Sequence, residues 1–183
     1  MNTLYKIIPF DIKHGNCGGS LVQFQQGEDA ENALPFSIGK VLVSSDMQPG
    51  DVRGNHAHHE TEEIVVALSG GCTFELDDGK GTRERVRLAA CGCKGVVECG
   101  SKDAAALAPI RPNPETPIPN HSDTQPALLL YPHVWRTFYD FEPGTVLLVV
   151  ANITYDEKDY IRDRAEFERI AKTWAGLGGS ASP

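Results

Sequence analysis

A histidine-rich stretch carries the side chains of this sequence that are best suited to chemistry. Residues 50–71 read GDVRGNHAHHETEEIVVALSGG, so three of the six histidines fall within four residues and acidic residues follow at once. Imidazoles titrate near neutral pH and can move protons. Two imidazoles with a carboxylate can also hold Fe(II), Mn(II) or Zn(II). The stretch therefore predicts either proton transfer or metal binding.

The spacing of these residues suits a strand that turns back on itself. His56 and His58 are two residues apart, so on a strand they project from the same face, and His59 alternates to the solvent side. A turn at Glu60–Thr61 would return the chain and bring Glu63 alongside the pair. We expect His56, His58 and Glu63 to lie together.

The rest of the chain predicts the strands that such a site needs. Short apolar runs alternate with turn signals, as expected for an antiparallel sandwich or barrel. Asp78-Gly79 predicts one tight hairpin, and EPGT at 142–145 predicts another between the runs WRTFYDF and TVLLVVAN.

Two segments depart from this pattern. The segment 91–125 contains five prolines, which cannot donate ladder hydrogen bonds, and we interpret it as an insertion into a single domain spanning 1–175. Near the C-terminus, helical spacing of apolar residues predicts one amphipathic helix that ends by Gly176. The helix would bury Phe167, Ile170, Ala171 and Trp174. We expect the tail, 176–183, to be disordered.

Composition excludes several classes of function. The net charge is −8 and the basic residues are scattered, which disfavours a nucleic-acid-binding face. No apolar run is long enough to cross a bilayer, and the N-terminus lacks the apolar core of a signal peptide. Five cysteines, an odd number, argue against a disulfide framework. These features predict a cytoplasmic protein that binds neither nucleic acid nor membrane.

The histidine stretch resembles the first motif of the cupin superfamily. Its pattern is G-x5-H-x-H-x4-E-x6-G, from Gly50 to Gly70. In the second cupin motif a metal-binding member adds a histidine, but the matching stretch YPHVWRTFYDF has Val134 in place of the motif glycine and Thr137 in place of that histidine. The missing ligand makes a bound metal the less favoured interpretation, and we expect no cofactor.

A closer resemblance appears when the flanking segments are included. GGSLVQFQQG, LPFSIGKVLV, RGNHAHHETEEIVVALSGGCTFELDDG, VWRTFYDF and ANITYDEKDYIRDRAEF occur in that order. Together they resemble the WxcM-like sugar-nucleotide 3,4-ketoisomerases. The resemblance implies an all-β, cupin (RmlC-like) antiparallel barrel or jelly roll with one C-terminal helix, and a homodimer that exchanges N-terminal strands. It also implies conversion of a dTDP-linked 4-keto-6-deoxyhexose into its 3-keto isomer without metal.

That reaction suits the residues of the histidine stretch. It needs a base, an acid and a group that stabilises negative charge on oxygen. His56 and His58 are the predicted catalytic pair. Arg53 is predicted to bind an enediolate or diphosphate oxygen, and Glu63 is predicted to lie in the substrate site and orient a histidine.

Aromatic residues of the run VWRTFYDF are predicted to complete the site. Trp135 and Tyr139 share strand parity with Thr137, so we expect them to present a flat surface to the substrate. Arg136 has the opposite parity and is expected to point outward. Near the C-terminus, Tyr160, Arg162 and Asp163 of DYIRD are expected to anchor the helix to the barrel.

Two departures from the family pattern leave other functions open. The strand GKVLVSSDM lacks a tyrosine with which family members reach the sugar, and Glu63 stands where they have glutamine. One alternative is a metal-dependent cupin, an oxygenase or a sugar-phosphate isomerase, with His56, His58 and Glu63 as ligands. The other is a sugar-binding cupin without catalysis.

Overall fold

Two antiparallel sheets face each other in a computed structural model that describes residues 4–15, 20–26, 33–91 and 123–174. The strands are β1 Tyr5–His14, β2 Ser20–Val22, β3 Gln25–Gln26, β4 Ala33–Leu34, β5 Lys40–Ser44, β6 Arg53–His58, β7 Glu63–Ser69, β8 Gly71–Asp77, β9 Arg83–Ala89, β10 Thr124–Leu130, β11 Trp135–Tyr139, β12 Val146–Ala151 and β13 Tyr160–Ile161. A 3₁₀ turn covers Glu157–Asp159, and helix α1 covers Arg164–Ala171.

The chain passes repeatedly from one sheet to the other. In the described part of the chain, one large sheet has the order β2-β1-β10-β7-β12-β5 and the other has the order β13-β6-β11-β8-β9, while β3 and β4 form a small parallel pair. Strands β6, β7 and β8 follow one another in sequence but alternate between the sheets. This alternation closes the two sheets into a barrel-like sandwich and confirms the predicted all-β cupin fold.

The two predicted hairpins have different outcomes. Asp78-Gly79 joins the paired strands β8 and β9, and Gly79 takes the positive φ of 68° that such a turn requires. The EPGT turn instead joins β11, which pairs with β6 and β8, to β12, which pairs with β5 and β7. The hairpin prediction at EPGT was therefore wrong, because the turn crosses between sheets.

The space between the sheets holds the main core. On β7, alternate residues such as Val65 and Ala67 face inward and pack against Phe74 and Leu76 of β8. The outer face of the six-stranded sheet has its own apolar cover, in which Leu34 packs with Ile64. Since both faces of β7 are buried, its sequence EIVVALS is a nearly continuous apolar run rather than an alternating one.

Helix α1 covers the outer face of the five-stranded sheet. Asp163 caps its N-terminus by accepting a hydrogen bond from the Glu166 amide. Phe167 and Ala171 are fully buried there, as the helical spacing predicts. The helix ends at Ala171, so Trp174 lies beyond its last turn. Within the ranges that the structure describes, no helix has the length and apolarity needed to cross a membrane.

The predicted insertion and tail lie mostly outside the described residues. Of the segment 91–125, the structure describes Cys91 and the residues from Asp123 onward, and β10 already begins at Thr124. The tail, 176–183, lies wholly outside the described ranges.

Candidate active site

A bulge in β6 sets the position of His56. Strand β11 pairs Arg136 with His56 but Thr137 with Gly54, so Asn55 is an extra residue in β6. Gly54 and Asn55 both have positive φ, 81° and 54°. The bulge turns the Gly54 carbonyl toward the His56 ring, and Nδ1 lies 3.0 Å from that oxygen. Because a carbonyl only accepts, Nδ1 carries the hydrogen and Nε2 keeps its lone pair.

The two imidazoles are neighbours with different exposure. Their ring centroids lie 4.9 Å apart, with an interplanar angle of 85°. His56 is half-buried, whereas His58 is completely buried. Burial, reinforced by the positive charge of Arg136, lowers the pKa of His56 from 6.5 to about 4. His56 is therefore neutral at physiological pH.

Asp159 fixes the orientation of His58. His58 Nδ1 lies 2.7 Å from Asp159 Oδ2, and the same carboxylate accepts hydrogen bonds from the Thr61 hydroxyl at 2.5 Å and the Glu60 amide at 2.7 Å. Burial would raise the pKa of Asp159, but the hydrogen bonds from Thr61, Glu60 and His58 outweigh it and lower that pKa. The ionised Asp159 holds a hydrogen on Nδ1, which directs Nε2 of His58 into the barrel.

Glu63 and Arg136 form a buried ion pair between the sheets. Arg136 Nη1 lies 2.5 Å from Glu63 Oε2, and both side chains are almost completely buried. Arg136 also donates to the carbonyls of Tyr131 and Val134. Burial would raise the pKa of Glu63, but the charge of Arg136 and contact with His58 place it well below its usual range. Glu63 is therefore ionised and already neutralised.

The same residues meet the geometric requirement for a metal site. One ligand atom from each of His56, His58 and Glu63 lies within 4.8 Å of the other two. Each histidine binds its fixed partner through Nδ1, so both Nε2 atoms are available as ligands. However, Arg136 occupies one Glu63 oxygen and places a positive charge where it repels a cation. The donor atoms suit a divalent ion, but the local charge opposes one.

Tyr160 lies against both imidazoles. Strand β13 pairs Tyr160 with His58, and its ring centroid is 4.3 Å from that of His58 and 5.3 Å from that of His56. The Arg162 guanidinium lies 4.3 Å from the centre of the Tyr160 ring, and the Lys40 ammonium lies 5.6 Å from it. The imidazole pair is thus bordered by an aromatic ring that also contacts two cations.

Comparison with known proteins assigns the family. Residues 3–96 and 118–172 match the sequence profile of the WxcM-like, C-terminal family. The chain belongs to this family. It is 30% identical over 155 residues, 84% of each chain, to the TDP-4-oxo-6-deoxy-alpha-D-glucose-3,4-oxoisomerase of Aneurinibacillus thermoaerophilus.

Solved structures of similar proteins agree with the family assignment. A 3,4-ketoisomerase from Helicobacter canadensis is 27% identical with a TM-score of 0.67, and the match covers 92% of this chain and 97% of that one. The TDP-quinovose 3,4-ketoisomerase of Campylobacter jejuni is also 27% identical, with a TM-score of 0.64, and the match covers 90% and 97% of the chains.

The structure of this WxcM-like protein brings together only part of the predicted site. His56, His58 and Glu63 meet as expected. Arg53 begins β6 and is half exposed, and its guanidinium is bonded to Asp51 at 3.0 Å. It lies on the same strand as the histidines, beyond the bulge.

Trp135 and Tyr139 lie away from the histidines. Trp135 packs against Phe167 of α1 in a cluster that includes Ala57, which faces the opposite side of β6 from His56 and His58. The Tyr139 hydroxyl lies 3.5 Å from Glu75 on the same outer face. The predicted flat surface is therefore not part of the histidine cluster.

Trp135 and Tyr139 lie away from the histidines because Arg136, on the same strand, points inward. On β11 the inward positions are Arg136 and Phe138, whose partners on β8 are the core residues Leu76 and Phe74. The prediction that Arg136 points outward was wrong, because Glu63 on the facing sheet supplies a buried counter-charge. With Arg136 inside, Trp135 must face α1.

Four residues of the cluster were not predicted from the sequence to belong to the site. Asp159 and Thr61 hold His58, Tyr160 covers the rings, and Lys40 contacts Tyr160. Of the predicted helix anchors, Asp163 caps α1, whereas Tyr160 lies against His58 and Arg162 lies over the Tyr160 ring. No local spacing signals the contact of Asp159 with His58, because 101 residues separate them in sequence.

Proposed function

We propose that this WxcM-like protein is a 3,4-ketoisomerase that converts a TDP-linked 4-keto-6-deoxyhexose into the 3-keto isomer. The observation that supports this most directly is the imidazole pair directed into the barrel, with Asp159 behind His58. The 30% identical relative bears the name of this activity on TDP-4-oxo-6-deoxyglucose. The proposed partner is accordingly a TDP-sugar.

The reaction is balanced without an added oxidant or reductant. A base takes the proton from C3, the C–H electron pair forms a C3–C4 double bond, and the carbonyl pair moves onto the C4 oxygen. A proton then returns to C4, and the proton of the C3 hydroxyl passes to the C4 oxygen as the C3 carbonyl forms. The ketone is thereby reduced and the hydroxyl oxidised within one sugar.

We assign the two proton transfers to different imidazoles. His56 reaches accessible surface, and its lowered pKa leaves Nε2 unprotonated at neutral pH, so it can accept the C3 proton. His58 is the second proton carrier, and the ionised Asp159 that holds it stabilises the positive charge that it takes on. We assign Arg53 to a diphosphate oxygen, because it is exposed at the start of β6 and its planar guanidinium suits such an oxygen.

The test is incubation with TDP-4-keto-6-deoxyglucose in D₂O, followed by NMR. We expect a 3-keto product with deuterium at C4, together with deuterium at C3 of recovered 4-keto substrate, and both should be lost in a His56→Asn and His58→Asn double variant. If TDP binds but neither product nor exchange exceeds the uncatalysed background, the protein is a non-catalytic sugar-binding member.

Chelation distinguishes the metal-dependent alternative. Because Arg136 already neutralises Glu63, we expect activity to survive prolonged treatment with EDTA. Activity that disappears on chelation and returns with Fe(II), Mn(II) or Zn(II) would instead identify a metal-dependent cupin that uses His56, His58 and Glu63.

We further propose that the protein works in the cytoplasm as a homodimer. Exposed apolar residues on the edge strand β5, Val41 and Val43, support a second copy packing there. Light scattering at micromolar concentration should give twice the chain mass of 19.9 kDa. A mass of one chain would contradict the dimer, and cell fractionation tests the location.

A further inference from the structure

Lys40 projects into the barrel on the same face as the acidic residue of the site. Strand β12 lies between β5 and β7, and its Ala151 pairs with Lys40 on one side and with Glu63 on the other. Directly paired residues of antiparallel strands point to the same face of a sheet. Since Glu63 is an inward residue, Lys40 is also directed between the sheets.

The Lys40 ammonium is buried without a hydrogen-bond partner. Its Nζ has almost no accessible surface, and no acceptor among the described residues reaches it. Its nearby contact is the Tyr160 ring, whose centre is 5.6 Å away and which also lies against both imidazoles. A cation–π contact at that distance offsets less than the cost of burying an unpaired charge.

The other cations around the imidazoles have anionic partners. Arg136 is paired with Glu63, Arg53 with Asp51, and Arg162 with Glu157. Of the cations that the described ranges place around this cluster, Lys40 is the one whose charge is not balanced. The proposed reaction creates negative charge on a sugar oxygen, which would give the Lys40 ammonium the anionic partner that it lacks among the described residues.

We propose that Lys40 is the cation that binds the reacting sugar, its ammonium donating a hydrogen bond to the C4 oxygen as that oxygen becomes anionic. This inference rests on the proposed ketoisomerase function and adds the group that stabilises the enediolate. Lys40 forms no covalent bond and transfers no proton. It acts by offsetting charge in a site that excludes water, where a fixed cation has its largest effect.

Lys40→Met tests the inference, because methionine keeps the length of the side chain and removes its charge. We expect kcat/KM for TDP-4-keto-6-deoxyglucose to fall by about 10²–10³-fold. The dissociation constant for TDP alone should stay within about threefold, because TDP lacks the sugar. Lys40→Arg should restore part of the activity. Lys6→Met, at an exposed position of β1, is the matched control and should behave as wild type.

Thermal stability separates a substrate contact from a structural role. Removing an unpaired buried charge should leave the melting temperature of Lys40→Met unchanged or raise it. A lower melting temperature, or a variant that does not fold, would mean that Lys40 stabilises the fold and would overturn the inference. Activity within about threefold of wild type, or a loss of TDP affinity equal to the loss of activity, would overturn it as well.

A binding measurement separates failure of this inference from failure of the proposed function. A wild-type protein that binds the TDP-keto-sugar without converting it contradicts the ketoisomerase but still tests Lys40. In that case Lys40→Met should weaken binding of the keto-sugar nucleotide about tenfold or more relative to TDP. If wild type and Lys40→Met bind the keto-sugar nucleotide with the same affinity, and also bind TDP with the same affinity, Lys40 does not contact the sugar.

Discussion

At the scale of single residues, the two imidazoles are held in different ways. His56 is hydrogen-bonded to a backbone carbonyl and is partly accessible, whereas His58 is fully buried and bonded to a carboxylate that accepts two further hydrogen bonds. A carbonyl fixes a tautomer but brings no charge. A carboxylate fixes the tautomer and also stabilises the imidazolium form. The surroundings therefore suit His56 to accept a proton first and His58 to carry the second.

This division of roles predicts a selective defect in Asp159→Asn. The amide cannot stabilise a charged His58, so product formation should fall by about 10²–10⁴-fold, the usual contribution of a positioned acid or base. Deuterium exchange at C3, which we assign to His56, should persist. Both rates are measured by NMR in D₂O. Asp140→Asn, at an exposed aspartate outside the cluster, is the control.

If Asp159→Asn slows deuterium exchange and product formation by the same factor, the two histidines do not have separate roles. His56→Asn should abolish both processes in either case, so it calibrates the exchange assay. TDP affinity should remain close to wild type in all these variants if their folds are intact.

At the scale of elements, the β6 bulge is the feature on which the position of His56 depends. A Cβ at Gly54 would lie 2.6 Å from the Arg136 carbonyl oxygen and 2.8 Å from the Phe138 ring, in a backbone with φ of 81°. Only glycine fits this position without strain. The bulge also provides the carbonyl that holds His56 Nδ1.

Gly54→Ala should therefore damage both stability and activity. We expect a loss of about 1–3 kcal/mol in the free energy of unfolding, measured with urea, from the strained backbone and the clash. Activity should fall because His56 and Arg136 shift together. Gly144→Ala is a matched control, since Gly144 has φ of 74° but no atom near the added Cβ. Equal effects of the two substitutions would mean that the close contact at Gly54 is unimportant.

Prediction of elements from the sequence succeeded where local pattern decides the structure. The strand with the HxH spacing, the Asp78-Gly79 hairpin and the helix around Phe167 all follow from local periodicity or turn chemistry. The orientation of β11 does not, because it depends on an ion pair between Arg136 and Glu63, 73 residues apart. Arg136 was expected to point outward, but its ion pair with Glu63, which is distant in sequence, directs it inward.

At the scale of the whole molecule, the site is assembled from both sheets. His56 and His58 come from β6, Glu63 and Lys40 from the facing sheet, and Asp159 from the 3₁₀ turn that follows the last long strand. The class of fold was predictable from strand rhythm and family resemblance. The contacts of Asp159 and Lys40 with the cluster were not, because they arise only when the sheets close on each other.

Burial of a neutral imidazole in this closed barrel should make the stability of the whole molecule depend on pH. The pKa of His56 is about 4 in the folded protein, against an ordinary value of 6.5. Between those values the unfolded chain binds the proton more readily, so the free energy of unfolding decreases as pH falls from 6.5 to 4. The contribution of His56 is fully present above pH 6.5 and amounts to at most about 3 kcal/mol.

Urea unfolding at pH 7.5, 6.5, 5.5 and 4.5 measures this dependence. The titratable groups that face His56 are Arg136, His58, Glu63 and Tyr160. The pKa of Glu63 is lowered and that of Tyr160 is raised, so their contributions to the pH dependence of stability lie below and above this pH range. Half-buried His133 adds a dependence of the same sign, because burial also lowers its pKa. His56→Gln keeps the contribution of His133 and removes only that of His56. As pH falls, the free energy of unfolding of this variant should therefore decrease less than that of wild type. Parallel curves for the two proteins would show that His56 is not held neutral by burial.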